Sequence, residues 1–268
     1  MEPPPTYYTL HLPDKYYTPS PDKSCTPSPE PPELAPEVLV DHALRRLASA
    51  GIELIEWGTS LFRRLNVPLI PKHFTYVVAD DQFDTASDLL VNMCLPISPP
   101  HRILSKTEGD FHTKGRLYRL TPSTRPSSVR YLHLFPLSFP AFSPRELFLD
   151  DRSPYSLLAP RVSAIYASIL RMMTAYPKSD PARGRLESDL EMLVHYNLMD
   201  LQKGYVDVDD DETWERFGMD RRLENAVATV QGWGLAGEWR TGEDWMEDAL
   251  VAIIRGTGEI ERLPWGAR

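Results

Sequence analysis

The chain has 268 residues, 42% hydrophobic and 25% charged, a balance that suits a soluble globular protein with a sizeable core in one large or two small domains. Its formal charge of −9 argues against wholesale nucleic-acid binding, and no apolar run approaches the roughly 20 residues of a membrane span. No basic segment followed by an apolar stretch opens the chain, and the two cysteines, Cys25 and Cys94, sit in unlike surroundings. The expectation is an intracellular protein, cytoplasmic or nuclear, without a disulfide.

Residues 1–36 hold 11 of the 26 prolines. Tyr7-Tyr8-Thr9 recurs as Tyr16-Tyr17-Thr18, and Thr18-Pro19-Ser20-Pro21 recurs as Thr26-Pro27-Ser28-Pro29. Proline removes a backbone donor and favours extended conformations, so this segment reads as a disordered tail. Its Ser/Thr-Pro steps suit phosphorylation or docking of a protein partner, although a solvated leader accounts for the same composition more simply.

Pro36 is well placed in the first turn of a helix with Leu39, Ala43, Leu44 and Leu47 on one side, ended by Gly51. Ile52, Leu54, Ile55 and Trp57 predict a buried strand. Gly58-Thr59-Ser60 opens a helix over 60–66, and a second strand follows Val67-Pro68 and ends at Val78. Asp80 or Asp81 suits the cap of a helix over 83–93. Irregular chain is expected around Pro96, Pro99 and Pro100, then strands over 115–120 and 129–135. Alternation in the latter puts Tyr131, His133 and Phe135 on one face and Leu132 and Leu134 on the other. Beyond residue 150 the period becomes helical, with helices over 153–176, 185–199, 211–230 and 244–254. The layout is thus a tail (1–36), an α/β domain (37–150) and a helical domain (151–268).

The segment from Ile52 to Val78 resembles the core of the nucleotidyltransferase fold, in particular its minimal and abortive-infection-type members, and the layout is similar to that of fungal members of this kind. There, a strand runs into a Gly-Ser or Gly-Gly turn and a helix, and a second strand carries Asp-x-Asp. Laying that family's GVPR-x-T-x-DIDLVV pattern on the chain without gaps matches Val67 and Pro68 and puts Asn66 on the glycine. The two metal-binding carboxylates then fall on His73 and Thr75. The resemblance implies an α+β fold, a small mixed sheet with flanking helices followed by a helical domain, whose Asp-x-Asp site is lost. It also implies that His133 occupies the place of a third acid on a following strand.

Nucleotidyl transfer uses divalent cations to bridge the triphosphate, and magnesium wants carboxylate oxygens. A neutral imidazole and a hydroxyl are poor substitutes. The expected function is therefore that of a pseudoenzyme: a degenerate nucleotidyltransferase-like protein without a metal cofactor that binds a nucleotide, another anionic ligand or a protein partner. One alternative is an active transferase or hydrolase with a rebuilt site, using magnesium or manganese with a nucleotide, or His73 and His133 with Asp80 or Asp81. Another is a pure interaction module.

Gly58, Thr59 and Ser60 are the candidate anion contacts, since a glycine turn at a helix start leaves amides free; Thr59 as an ordinary cap is the simpler account. Residues 101–130 carry seven basic residues, Lys114 and Arg116 among them, against two acidic ones, which suits a phosphate or balances the acidic helical half. Gly232-Trp233-Gly234-Leu235-Ala236-Gly237 fits a dinucleotide-binding spacing but follows a helix, so it reads as a helix stop. Asp207 to Asp211 starts like a calcium loop without its glycine and glutamate, and reads as a helix cap. Trp214, Trp233, Trp239 and Trp245 read as helix packing.

Overall fold

The computed structural model describes residues 30–125, 127–150, 155, 157–201 and 210–264. The tail repeats and their expected disorder, phosphorylation or partner docking lie outside the described residues. Helix α1 (Pro36–Ser49) has proline in its first turn and buries Leu39, Val40, Ala43, Leu44 and Leu47 at helical spacing. Strand β1 (Leu54–Trp57), helix α2 (Thr59–Arg64), strand β2 (Phe74–Val78) and helix α3 (Phe83–Asn92) follow.

The expected irregular stretch is instead strand β3 (Ile97–Ser98) and helix α4 (Arg102–Thr107), started where the His101 side chain accepts a hydrogen bond from the Ile103 amide. Strands β4 (Arg116–Arg119), β5 (Tyr131–Pro136), β6 (Leu147–Leu149) and β7 (Leu158–Pro160) complete the sheet. Helices α5 (Val162–Thr174), α6 (Pro181–Leu193), α7 (Asp211–Phe217), α8 (Met219–Leu235) and α9 (Trp245–Ile254) form the rest.

Among the described residues the sheet has seven strands in the order β3-β4-β5-β2-β1-β7-β6. It is mixed: β2 runs antiparallel to β1 and parallel to β5, and β7 runs parallel to β1. Alternation divides its central strands between two cores. Leu54, Tyr76, Val78, Leu132 and Leu134 pack with the apolar sides of α1 and α3. Ile55, Trp57, Val77 and Phe135 pack with α5, α6, α8 and α9 in a cluster that reaches Leu263. The fold is therefore α+β, a mixed sheet with flanking helices and a helical C-terminal region. Trp214, Trp233, Trp239 and Trp245 all pack against that second cluster, as expected.

Several boundaries differ from expectation. The division near residue 150 cuts through the sheet, since β7 lies beyond it and pairs with both β1 and β6. The helix expected from residue 153 starts at Val162, because β7 takes up the preceding apolar residues; residues 151–154 lie outside the described residues. Asp180 caps α6 through the Ala182 amide, four residues ahead of the expected start, and α6 then runs into a wide turn, Val194–Leu198. The third helix is two, parted at Gly218, which takes φ 60. Asp210 caps α7 through the Thr213 amide at 3.0 Å, the role expected for this acidic run. Asp80 and Asp81 form a 3₁₀ turn with no side-chain cap; Asp80 instead accepts from the Ser138 amide. Cys94, just beyond α3, is disulfide-bonded, against the expectation of reduced thiols, and Cys25 lies outside the described residues. No helix among the described residues is long and apolar enough to cross a membrane.

Sheet and helices are also tied by charge. Glu146, before β6, accepts from Arg171 of α5 (2.8 Å) and from Arg240 ahead of α9 (2.6 Å), and Arg171 also binds Glu243 (2.7 Å). Burial raises the Glu146 carboxyl, but the hydrogen bonds from Arg240 and Arg171 outweigh it and hold the group below the usual carboxylate range. Glu146→Ala leaves two guanidinium groups short of their acceptor and is expected to cost about 3 kcal/mol in urea denaturation. Because the folded value is depressed, the parent holds this contribution in full above the unfolded value of about 4.3 and loses it as pH falls through the lower folded value. The variant should therefore lose less stability than the parent on acidification.

Candidate functional site

Trp57 ends β1, and Gly58 turns the chain into α2 with φ 68 and ψ −144, a conformation that side chains disfavour. A Cβ at Gly58 would stand 3.4 Å from the Thr75 side chain, so the turn lies close against β2. Thr59 is the first residue of α2 rather than its cap; Gly58 holds the cap position.

Pairing places Trp57 opposite Thr75, and Thr75 opposite His133, in one row across three strands. Paired residues share a face. His73, two positions before Thr75, accepts a hydrogen bond at Nδ1 from the Tyr131 amide (3.3 Å) and sets its ring against Tyr131. A cleft of about 330 Å³ opens over this row. Trp57, Gly58, Thr59, His73, Thr75, His133 and Phe135 line one side. Glu108, Phe111 and His112 enter from the segment after α4, and Arg185 and Asp189 from α6, with Ile70, Lys72 and Leu104 completing the lining.

Gly58, Thr59, His73, Thr75 and His133 thus come together as expected. Ser60, Lys114 and Arg116 are not part of the lining. Ser60 lies further along α2, Lys114 pairs with Asp110 (2.7 Å), and Arg116 pairs with Asp84 (2.7 Å) over the Phe83 ring.

Four polar residues of the lining went unrecognised in the sequence: Glu108, His112, Arg185 and Asp189. His133 Nδ1 lies 3.4 Å from His112 Nδ1, and His112 Nε2 lies 3.0 Å from Glu108 Oε2. Glu108 also pairs with Arg185, whose Nε donates to Asp189 Oδ2 at 3.1 Å. The signal was spacing: Glu108 and His112, and Arg185 and Asp189, each stand four apart, the separation at which side chains meet on a helical turn.

The protonation states follow from this chain of contacts. Burial lowers His73 to about 4, helped by Lys72, and burial drives His133 well below the ordinary imidazole value. Burial would raise Glu108, but the hydrogen bond from His112 and the charge of Arg185 hold it below the usual range. Burial raises Asp189, and Arg185 partly offsets it. Near neutral pH the cleft therefore holds an ionised Glu108 and Arg185 beside two uncharged imidazoles, His73 and His133.

The two cleft carboxylates are both engaged by Arg185, and among the described residues no group of three or more His, Cys, Asp or Glu side chains is arranged to hold a metal ion. Comparison with protein-family models, with curated proteins and with solved structures gives no match.

His73 has a depressed folded value, so between about 6.5 and about 4 the unfolded chain binds a proton that the folded chain does not. Its contribution is complete above about 6.5 and is lost as pH falls toward about 4. His73→Gln is expected to flatten the fall in melting temperature over that window, and equal slopes for parent and variant would refute the assignment.

Gly115 gives a steric test of the same corner. A Cβ there would lie 2.3 Å from the Leu134 carbonyl oxygen and 3.0 Å from His133 Nε2. Gly115→Ala is expected to cost about 1–3 kcal/mol through displaced backbone, read as a lowered urea midpoint.

Proposed function

We propose that the chain is a nucleotidyltransferase-like protein that binds a ligand of the nucleotide class in the cleft beside Gly58 and transfers no nucleotide. One observation carries this reading: the row formed by Thr75 and His133, with His73 beside it, lines the cleft with two imidazoles and a hydroxyl, at positions that the resemblance aligns with acids. The order of elements supports it as well: α1, β1, the Gly58 turn, α2, β2 and α3, with β5 parallel to β2. Transfer of a nucleotidyl group needs cations bridging the triphosphate, and neutral imidazoles with a hydroxyl offer no anionic cradle for them.

Isothermal titration with nucleoside triphosphates tests the reading, and affinity is expected to change by less than about threefold on adding magnesium. Strong magnesium-dependent affinity would overturn it. The double change His73→Asp with Thr75→Asp probes the alignment itself. Two adjacent carboxylates repel, so the metal-free variant is expected to melt below the parent, and magnesium or manganese to recover part of that loss. If the variant gains no more from metal than the parent does, these positions do not correspond to the acids of the resembled fold.

A second reading, an enzyme with a rebuilt site, draws on the linked side chains of His133, His112 and Glu108, an arrangement suited to moving a proton. Its test is hydrolysis of nucleotides by the parent chain that is abolished in His112→Gln.

A further inference from the structure

Resting on the reading of this cleft as a ligand site, we propose that it recognises an uncharged planar heterocycle, a nucleobase or nucleoside, and that phosphate groups add nothing to binding. The first ground is charge. Lys72 and Arg185 are the cations of the lining, and Arg185 is already engaged by both cleft carboxylates, Glu108 and Asp189. Arg185 turns Nη1 to Glu108 and Nε to Asp189, with its guanidinium over the Phe111 ring at 5.4 Å. A phosphate entering here would have to displace carboxylates that the fold already holds in place, and would meet their repulsion while doing so.

The basic run of residues 101–130 does not change this balance. None of its seven cations lines the cleft; Lys114, Arg116 and Arg130 are paired with Asp110, Asp84 and Glu37. Helix α2, whose start borders the cleft, has six residues, too short a run of aligned peptides to supply the missing positive field.

The second ground is the walls and their hydrogen-bonding capacity. Trp57, Phe111 and Phe135 give the cleft aromatic surface of the kind that takes a flat ring. His73 accepts at Nδ1 from the Tyr131 amide, so its proton is on Nε2, which remains a donor. His112 bridges the other two groups, with Nε2 3.0 Å from Glu108 Oε2 and Nδ1 3.4 Å from His133 Nδ1. His133 Nε2 is buried and has no hydrogen-bond partner among the described residues. A spare imidazole N–H on His73 and an unpartnered imidazole nitrogen on His133, beside aromatic walls, complement the hydrogen-bonding edge that every nucleobase carries.

The test is calorimetric titration of the full chain with free bases, ribonucleosides and their 5′-mono- and triphosphates, at low and high salt. At least one base or nucleoside is expected to bind within about threefold of its triphosphate, with little dependence on salt. Triphosphates tighter by about tenfold or more, with affinity falling steeply in salt, would overturn this inference and leave the ligand site standing. Absence of binding by bases, nucleosides and nucleotides alike would overturn both. Glu108→Gln removes one carboxylate from Arg185 and is expected to raise triphosphate affinity relative to nucleoside by about tenfold. Asp189→Asn makes the same test from the other side of the guanidinium if the first variant folds poorly. A folded variant with no such gain would show that charge balance does not set the preference.

Discussion

Both faces of the central sheet are buried, and that single constraint fixes the site. Strand β2 is paired on each side, with β1 and with β5, so a slip of one residue would exchange its faces and expose one core while burying the wrong side chains in the other. Tyr76 and Val78 must meet α1 and α3, and Val77 must meet the helical half. Thr75 follows Val77 onto the second face by alternation, and His133 follows Phe135 in the same way. The cleft lies where that face meets α6 and the segment after α4. Its sheet residues are thus positioned by hydrophobic burial several residues away, a stiffer support than loop contacts alone would provide.

This dependence also explains what was legible in the sequence. Period-two alternation identified the opposed faces of β5, and helical spacing identified the buried side of α1, because each pattern reports burial directly. Gly58 could be assigned to a turn because an apolar run ends just before it. The short elements were not legible. Strand β3 has two residues and β7 three, too few for a period to register, and β7 is held by pairing with β1 and β6 rather than by its own pattern. Helix α4 follows three prolines and has no buried residue to mark a face. Glu108 and His112 follow this helix, so losing it hid half of the site. Arg185 and Asp189 sit in an evident helix, but the face of α6 that meets the cleft is decided by tertiary packing.

The polar side chains of the cleft form a connected set rather than a collection of single contacts. A carboxylate or guanidinium removed from water is costly unless its partners are already in place, and here Glu108, Arg185 and Asp189 each touch an opposite charge. Glu108 is shared between His112 and Arg185, and Arg185 between Glu108 and Asp189. A change at any member alters the surroundings of the next. Single substitutions in this set should therefore not add, and double-mutant cycles are the proper way to apportion their effects.

The charge pattern bears on a cleft whose sheet side carries His73 and Thr75 rather than carboxylates. Two carboxylates at positions 73 and 75 would face one another on one side of a strand, and their repulsion would need a cation bound from solution. His73 and Thr75 remove that need, and His73 stays uncharged because its surroundings are already buried and flanked by Lys72. The cleft carboxylates, Glu108 and Asp189, come from elements outside the central strands and find their cation in Arg185. A guanidinium stays protonated at any physiological pH and is covalently part of the chain. The charges of Glu108, Arg185 and Asp189 are thus met by groups that the chain itself supplies.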